Sequence, residues 1–290
     1  FARVRPEPVQ RTPRALGDDI QQSMKETVAT FCLVVAASAC SPSGPPAAVA
    51  PSASTIAIVE SPTVASPEAR ALVEANDRTD ADRQLDPGRH PAELITFLGI
   101  TPGMRIAEFI AGAGYTAELL ARAVAPNGTV YAENPKFILV RAAVPWSERL
   151  ARPANKTIVR VDRELDSPLP TEATNLDLVV INLVYHDTVW LGIDRDKMNR
   201  AAFAALKSGG KYAVIDHSAR PGTGLNDVQT LHRIDENTVR DEVQRAGFVL
   251  QGAGSFLRNP SDGRDWNDSP GAAGVRRGTS DRFALLFVKP

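Results

Sequence analysis

The chain has 290 residues, room for one large domain or two small ones. It is 43% hydrophobic and 23% charged, an ordinary globular balance, and a formal net charge of −1 gives no overall basic field that would argue for nucleic acid. The two cysteines, Cys32 and Cys40, both precede the folded part, so that part has no disulfide framework, no cysteine nucleophile and no thiolate zinc site.

Residues 1–23 carry Arg3, Arg5, Arg11 and Arg14 and read as an upstream segment, with Met24 the expected start. Residues 24–39 read as a signal peptide. Lys25 gives a basic start, and the apolar run Val28 to Ala39 is too short to span a bilayer. The run ends in Ala37-Ser38-Ala39 before Cys40, which resembles a bacterial lipoprotein signal, with Ala37 where leucine is usual. That resemblance implies cleavage and lipidation at Cys40. It implies a periplasm-facing protein of the cell envelope, with the lipid anchor as its only membrane contact. The competing reading is a helix buried in the domain. Residues 40–67 are rich in Pro, Ser and Ala and read as a disordered tether.

The folded part is expected over 68–290. Its first stretch, 68–100, reads as helices that form a lid, with a turn at Asp86-Pro87-Gly88 and a helix from about Pro91. Strands are expected at 104–109, 128–133, 157–161, 177–183, 211–216, 248–255 and 282–289. Helices are expected at 115–125, 135–150, 195–207 and 235–246. Apolar strands alternating with amphipathic helices imply an α/β, Rossmann-like doubly wound sheet, seven-stranded and mostly parallel. The last two strands are separated by a polar, Gly-rich insert and no helix, so the last strand should be antiparallel. Ligands in such sheets bind beyond the carboxyl ends of the strands.

The stretch "RIAEFIAGAGYTAELLARAV" places Glu108 at a strand end, then Gly112 and Gly114, then a helix from Tyr115. Glycines let backbone approach a ligand, and the helix N-terminus favours an anion. Glu108 disfavours a pyrophosphate and suits an ammonium. The turn also fits the loose G-x-G-x-x-A dinucleotide pattern, so a nicotinamide oxidoreductase stays open. So does a tight turn with no ligand.

With "DLVVINLVYHD" and "ALKSGGKYAVIDH", this stretch resembles the class I S-adenosylmethionine-dependent methyltransferases over about 90–290. More narrowly, it is similar to exported, lipoprotein-like bacterial proteins described as predicted methyltransferases. The family's acid-x-G-x-G-x-G motif has Glu108 as its acid here, and Ile110 replaces the first glycine. The resemblance implies S-adenosylmethionine as cofactor and a small molecule as methyl acceptor. It implies that Glu108 and the turn Ala111, Gly112, Ala113, Gly114 and Tyr115 hold the methionine moiety. Glu133 or Asn134 would meet the ribose, and Asp162 or Glu164 the adenine. Asn182 and Tyr185 would lie beneath the transferred methyl.

His186 and His217 follow the fourth and fifth strands, and His232 opens a later helix. In a parallel sheet those strand ends are neighbours, so His186, Asp187, Asp216 and His217 should share one rim. An imidazole beside a carboxylate suits acid–base assistance of methyl transfer. Divalent-metal binding by the three histidines and an Asp is the less favoured alternative, and ordinary capping is another. An exported interaction protein that keeps the fold without catalysis also remains open.

Overall fold

A computed structural model describes residues 60–61 and 63–290. The elements run β1 (Glu60–Ser61), α1 (Pro67–Val73), α2 (Asp80–Arg83), α3 (Asp86–Arg89), α4 (Pro91–Leu98), β2 (Arg105–Phe109), α5 (Tyr115–Val124), β3 (Thr129–Glu133), α6 (Lys136–Leu150), β4 (Ile158–Val161) and β5 (Leu176–Asn182). Then come α7 (Asp187–Trp190), α8 (Arg195–Ala205), β6 (Leu206–His217), α9 (Val228–Leu231), α10 (Glu236–Arg245), β7 (Val249–Gly254) and β8 (Arg282–Val288).

The strands form one sheet in the order β1-β7-β8-β6-β5-β2-β3-β4. The seven expected strands are all present, and β8 is antiparallel to both β6 and β7. It lies between them, because a strand that returns through a loop can insert only in the opposite direction. The two-residue β1 adds an eighth strand, parallel to β7 at the edge.

Alternation along the strands divides the core into two layers. In β2, Ala107 and Phe109 face the layer that α8 and α10 cover through Met198, Ala202, Val239 and Val243. Ile106 faces the opposite layer, where Leu94 and Leu98 of α4, Leu120 and Val124 of α5 and Trp146 of α6 pack. In β5, Val179 and Ile181 take the first layer, and Leu178 and Val180 the second.

The expected signal peptide and most of the tether lie outside the described residues. Part of the stretch expected as tether belongs to the fold instead. Glu60 and Ser61 pair with β7, Ala65 is buried, and Ser66 caps α1 by accepting from the Ala69 amide. Among the described residues, no helix is long and apolar enough to cross a membrane.

The expected lid is held by buried ionic contacts. Arg149 on α6 donates to Asp82 of α2 at 2.7 and 3.0 Å and to Glu118 of α5 at 2.7 Å. Its Nε donates to the Ala113 carbonyl at 2.6 Å. Burial would raise the Asp82 carboxyl, but hydrogen bonds from Arg149 and Thr79 hold it at about 2. Arg78 grips Asp86 with two bonds of 2.7 Å, and Tyr115 donates its hydroxyl to the same carboxylate. A small apolar cluster of Ala69, Ala92, Ile95, Tyr115 and Leu119 lies beneath. Arg149→Ala removes the cation that two buried carboxylates share, leaving Asp82 with Arg152 at 3.5 Å and Glu118 with Arg122 and Arg152. It should lower the unfolding free energy by about 1.5–3 kcal/mol in urea titration, the scale of lost hydrogen bonds to charged groups. A loss below about 1 kcal/mol would show that the lid is anchored otherwise.

Candidate active site

The turn after β2 is gripped by the end of β3. Glu133 Oε2 accepts from the Ile110 amide at 3.1 Å, and the Glu133 carbonyl accepts from the Ala111 amide at 2.8 Å. Asn134 Oδ1 accepts from the Gly112 amide at 2.7 Å, while its Nδ2 donates to the Gly112 carbonyl at 2.9 Å. The Gly114 amide bonds the Ala111 carbonyl. The 111–114 turn, expected to hold the methionine moiety, therefore offers a ligand few free amides. The amides of Ala111, Gly112 and Gly114 are engaged in shaping the turn. Asn134 is likewise engaged with the turn, whereas Glu133 keeps one oxygen without a partner.

These bonds explain Ile110 in place of glycine. Its φ of +56° is a left-handed conformation that a β-branched residue adopts only under constraint. The two glycines serve different ends. A Cβ on Gly114 would lie 2.3 Å from the Trp146 ring, so this position admits only glycine. A Cβ on Gly112 would meet nothing within 4 Å, so open space lies above that residue.

Two buried carboxylates flank the turn. Glu108, 3% exposed, lies one residue before the end of β2, and its Oε2 has no hydrogen-bond partner. Burial pushes its carboxyl up to about 8, against the opposing pull of the Thr116 hydroxyl, Arg89 and Arg149. Glu133 is fully buried, and its Oε1 also lacks a partner. Burial raises it well above the usual carboxylate range, and Glu164 and Asp162 push it further. Asn182, at the end of β5, donates to Thr116 at 3.1 Å, a residue the sequence did not single out. Asp162 is exposed and paired with Arg160 at 2.9 Å.

The strand-end histidines do share one rim. Asp216, fully buried at the end of β6, accepts from the His186 amide at 2.7 Å and contacts His186 Nδ1 at 2.7 Å. His186 Nε2 lies 3.2 Å from Asp187 Oδ1, at an angle that makes no hydrogen bond. Burial would lower the His186 imidazole, but the carboxylates of Asp216 and Asp187 hold it up at about 10. His232 sits edge-on to it, ring centroids 4.0 Å apart, with Nδ1 3.8 Å from Asp187 Oδ1. Burial and the neighbouring His186 push His232 down to about 4. The segment reaches this rim because the Ile234 amide bonds the His217 carbonyl and Ile234 accepts from Ala219. His217 is 5.5 Å from His186 between ring centroids, and its Nδ1 contacts Asp268 and the Ser280 hydroxyl. Burial lowers it.

Tyr185 does not join the site. It is fully buried in the opposite layer, donates to Glu242 at 2.8 Å and accepts from Asn199 at 2.9 Å. The chain turns after β5, and a phenol with two polar partners in the core is satisfied there. Trp266 packs against Arg233 and Asp262.

A cavity of about 750 Å³ opens over this rim. Leu183, Val184, Asp187 and Trp190 form its floor, with His217 and His232 beside them. Leu85, Gly88 and Arg89 close it from the lid, and Asp268, Ser269, Arg277 and Gly278 of the 255–281 insert close it from the far side. Arg89 is half-buried and stacks over the Tyr115 ring at 4.6 Å. Arg282 is buried, and among the described residues its guanidinium bonds the carbonyls of Ser280 and Gly278. The insert reads in sequence as a polar loop, and nothing in its pattern marks it as a cavity wall.

No protein-family model matches the chain, and no curated protein matches it. Solved structures do. An S-adenosylmethionine-dependent methyltransferase from Aquifex aeolicus is 17% identical with a TM-score of 0.51, over 73% of this chain and 100% of that one. An arsenic(III) S-adenosylmethionine methyltransferase from Chlamydomonas reinhardtii is 16% identical with a TM-score of 0.50, over 78% of this chain and 75% of that one. The chain has the Rossmann-like α/β fold found in these methyltransferases.

Proposed function

We propose that the chain is an S-adenosylmethionine-dependent methyltransferase acting on a small molecule in the cavity. One observation carries the reading: two buried carboxylates, each with an unpartnered oxygen, stand at adjacent strand ends on either side of a turn with open space above Gly112. Buried polar atoms without partners are costly, and a ligand with matching donors relieves the cost. Glu108 suits the ammonium of the amino-acid part, and Glu133 suits ribose hydroxyls. When bound, the cofactor supplies an electrophilic methyl group on a sulfonium. The chain's own part is to hold it, exclude water under the lid and orient the acceptor. Asp187 and His232 face the cavity and act on the acceptor there. Asp216 fixes the orientation of His186. A dinucleotide fits less well, because Glu108 would meet its pyrophosphate.

The reading extends to export. The 24–40 pattern supports a mature protein that begins at a lipidated Cys40. Mass spectrometry of the N-terminal peptide from the native host should find Cys40 first and acylated. Ala39 still joined to Cys40 would contradict this.

Calorimetry with S-adenosylhomocysteine should show one site on the full chain. Gly112→Val puts a branched side chain in the open space, at a φ of +61°. It should weaken binding at least about 100-fold while circular dichroism stays unchanged. Equal affinity in the folded variant would move the site elsewhere.

Binding should also depend on pH. The ammonium favours the ionised form of Glu108, whose carboxyl holds its proton up to about 8 in the free chain. Below that pH the proton must leave on binding. Affinity should therefore rise between pH 6 and 8, by at most about tenfold per unit, and level off above. Glu108→Gln should bind more weakly and lose that slope. The same slope in the variant would assign it to another group.

A further inference from the structure

We propose that His186 Nε2, His232 and Asp187 form a binding site for one divalent first-row transition-metal cation at the floor of the cavity. One ligand atom from each lies within 4.8 Å of the other two. Metal bonds of 2.0–2.2 Å place tetrahedral ligand atoms about 3.4 Å apart. The separations of 3.2 Å from His186 Nε2 to Asp187 Oδ1 and 3.8 Å from His232 Nδ1 to Asp187 Oδ1 bracket that value.

A second, independent observation points the same way. His186 is fully buried, and its Nε2 is aimed at this point with no hydrogen-bond partner. Its other ring nitrogen is held by Asp216 at 2.7 Å. A carboxylate on the far nitrogen of a ligating histidine fixes the ring and raises its basicity, and it is the usual companion of such a ligand. Asp216 also accepts from the His186 backbone, so ring and main chain are positioned by one side chain. Asp187 and Asp216 together favour positive charge here, which a cation supplies.

The donor set identifies the class. Two imidazoles and one carboxylate suit zinc, iron(II) or cobalt(II), and not magnesium or calcium, which take oxygen ligands. Three protein ligands leave at least one position open. Asp187 and His232 line the cavity, so that position faces the acceptor. An acceptor oxygen, nitrogen or sulfur atom occupies it, and the cation fixes that atom toward the cofactor. His217 stays outside the set, because its Nδ1 is held by Asp268 and Ser280. This inference rests on the methyltransferase reading only for the acceptor's role, and the metal site stands without it.

The test uses the full chain, stripped with chelator and titrated with zinc in the calorimeter and cobalt(II) in the visible spectrometer. Cys32→Ser and Cys40→Ser are introduced together so that the N-terminal thiols bind nothing. The expected result is one equivalent at micromolar affinity or tighter, with cobalt bands of low coordination number. His232→Ala and Asp187→Asn should each weaken it at least about 100-fold, and Asp216→Asn about 10- to 100-fold. If His232→Ala fails to fold, Asp187→Asn carries the test alone, since it keeps the side-chain volume. Failure of both metals to bind below millimolar concentration overturns the proposal, as does affinity unchanged by Asp187→Asn. S-adenosylhomocysteine is titrated separately. Its binding without metal binding overturns this inference alone, and metal binding without it overturns the cofactor reading alone.

Discussion

The end of β3 holds the turn after β2, and the site depends on that grip. Glu133 and Asn134 are adjacent in sequence, yet they make four hydrogen bonds to Ile110, Ala111 and Gly112. Those bonds fix a left-handed isoleucine in a place where glycine would be the unstrained choice. They also explain why the turn keeps its shape although most of its amides point away from any ligand. What remains for a ligand is space over Gly112 and the spare oxygens of Glu108 and Glu133. A rigid turn with unsatisfied carboxylates on both sides departs from the rule that buried polar groups are bonded, and such departures concentrate at functional sites.

The same grip orders the lid. The turn's Ala113 carbonyl accepts from Arg149, which also holds Asp82 and Glu118. Asp82 brings α2 against α5 and α6, and Tyr115 at the start of α5 brings α3 in through Asp86. The helices that wall the cavity are thereby tied to the turn after β2. The insert before β8 completes the wall. It is fixed by Arg264 and Asp262 around Asp281, and by Asp268 against His217. The opposite wall and the strand-end histidines thus belong to one bonded network. The proposed cation lies where that network leaves one imidazole nitrogen unpaired.

The sheet was legible because its signals are local. β2 and β5 are short apolar runs buried on both faces, and the buried Val239 and Val243 of α10 recur at helical spacing. The antiparallel β8 was legible from the missing helix before it. The shared rim of His186, Asp216 and His217 followed from strand adjacency alone. Other features were not legible, because their partners are far apart in the chain. Arg149 and Asp82 are 67 residues apart, and His217 meets Asp268 across a loop with no periodic pattern. Tyr185 was misplaced because an aromatic residue just past a strand end can face either layer. Only the Glu242 and Asn199 partners decide which. Asn134 is the expected alternative to Glu133 at the ribose, and nothing in the sequence shows that its amide matches both groups of the Gly112 peptide.

The most direct measurement of the central claim is a crystal structure of the full chain with S-adenosylhomocysteine. The account requires the amino-acid part above Gly112 with its ammonium at Glu108, the ribose hydroxyls at Glu133, and the sulfur turned toward Asp187 and His232. Density for the ligand away from Glu108 and Glu133, or no ligand at millimolar concentration, would contradict it.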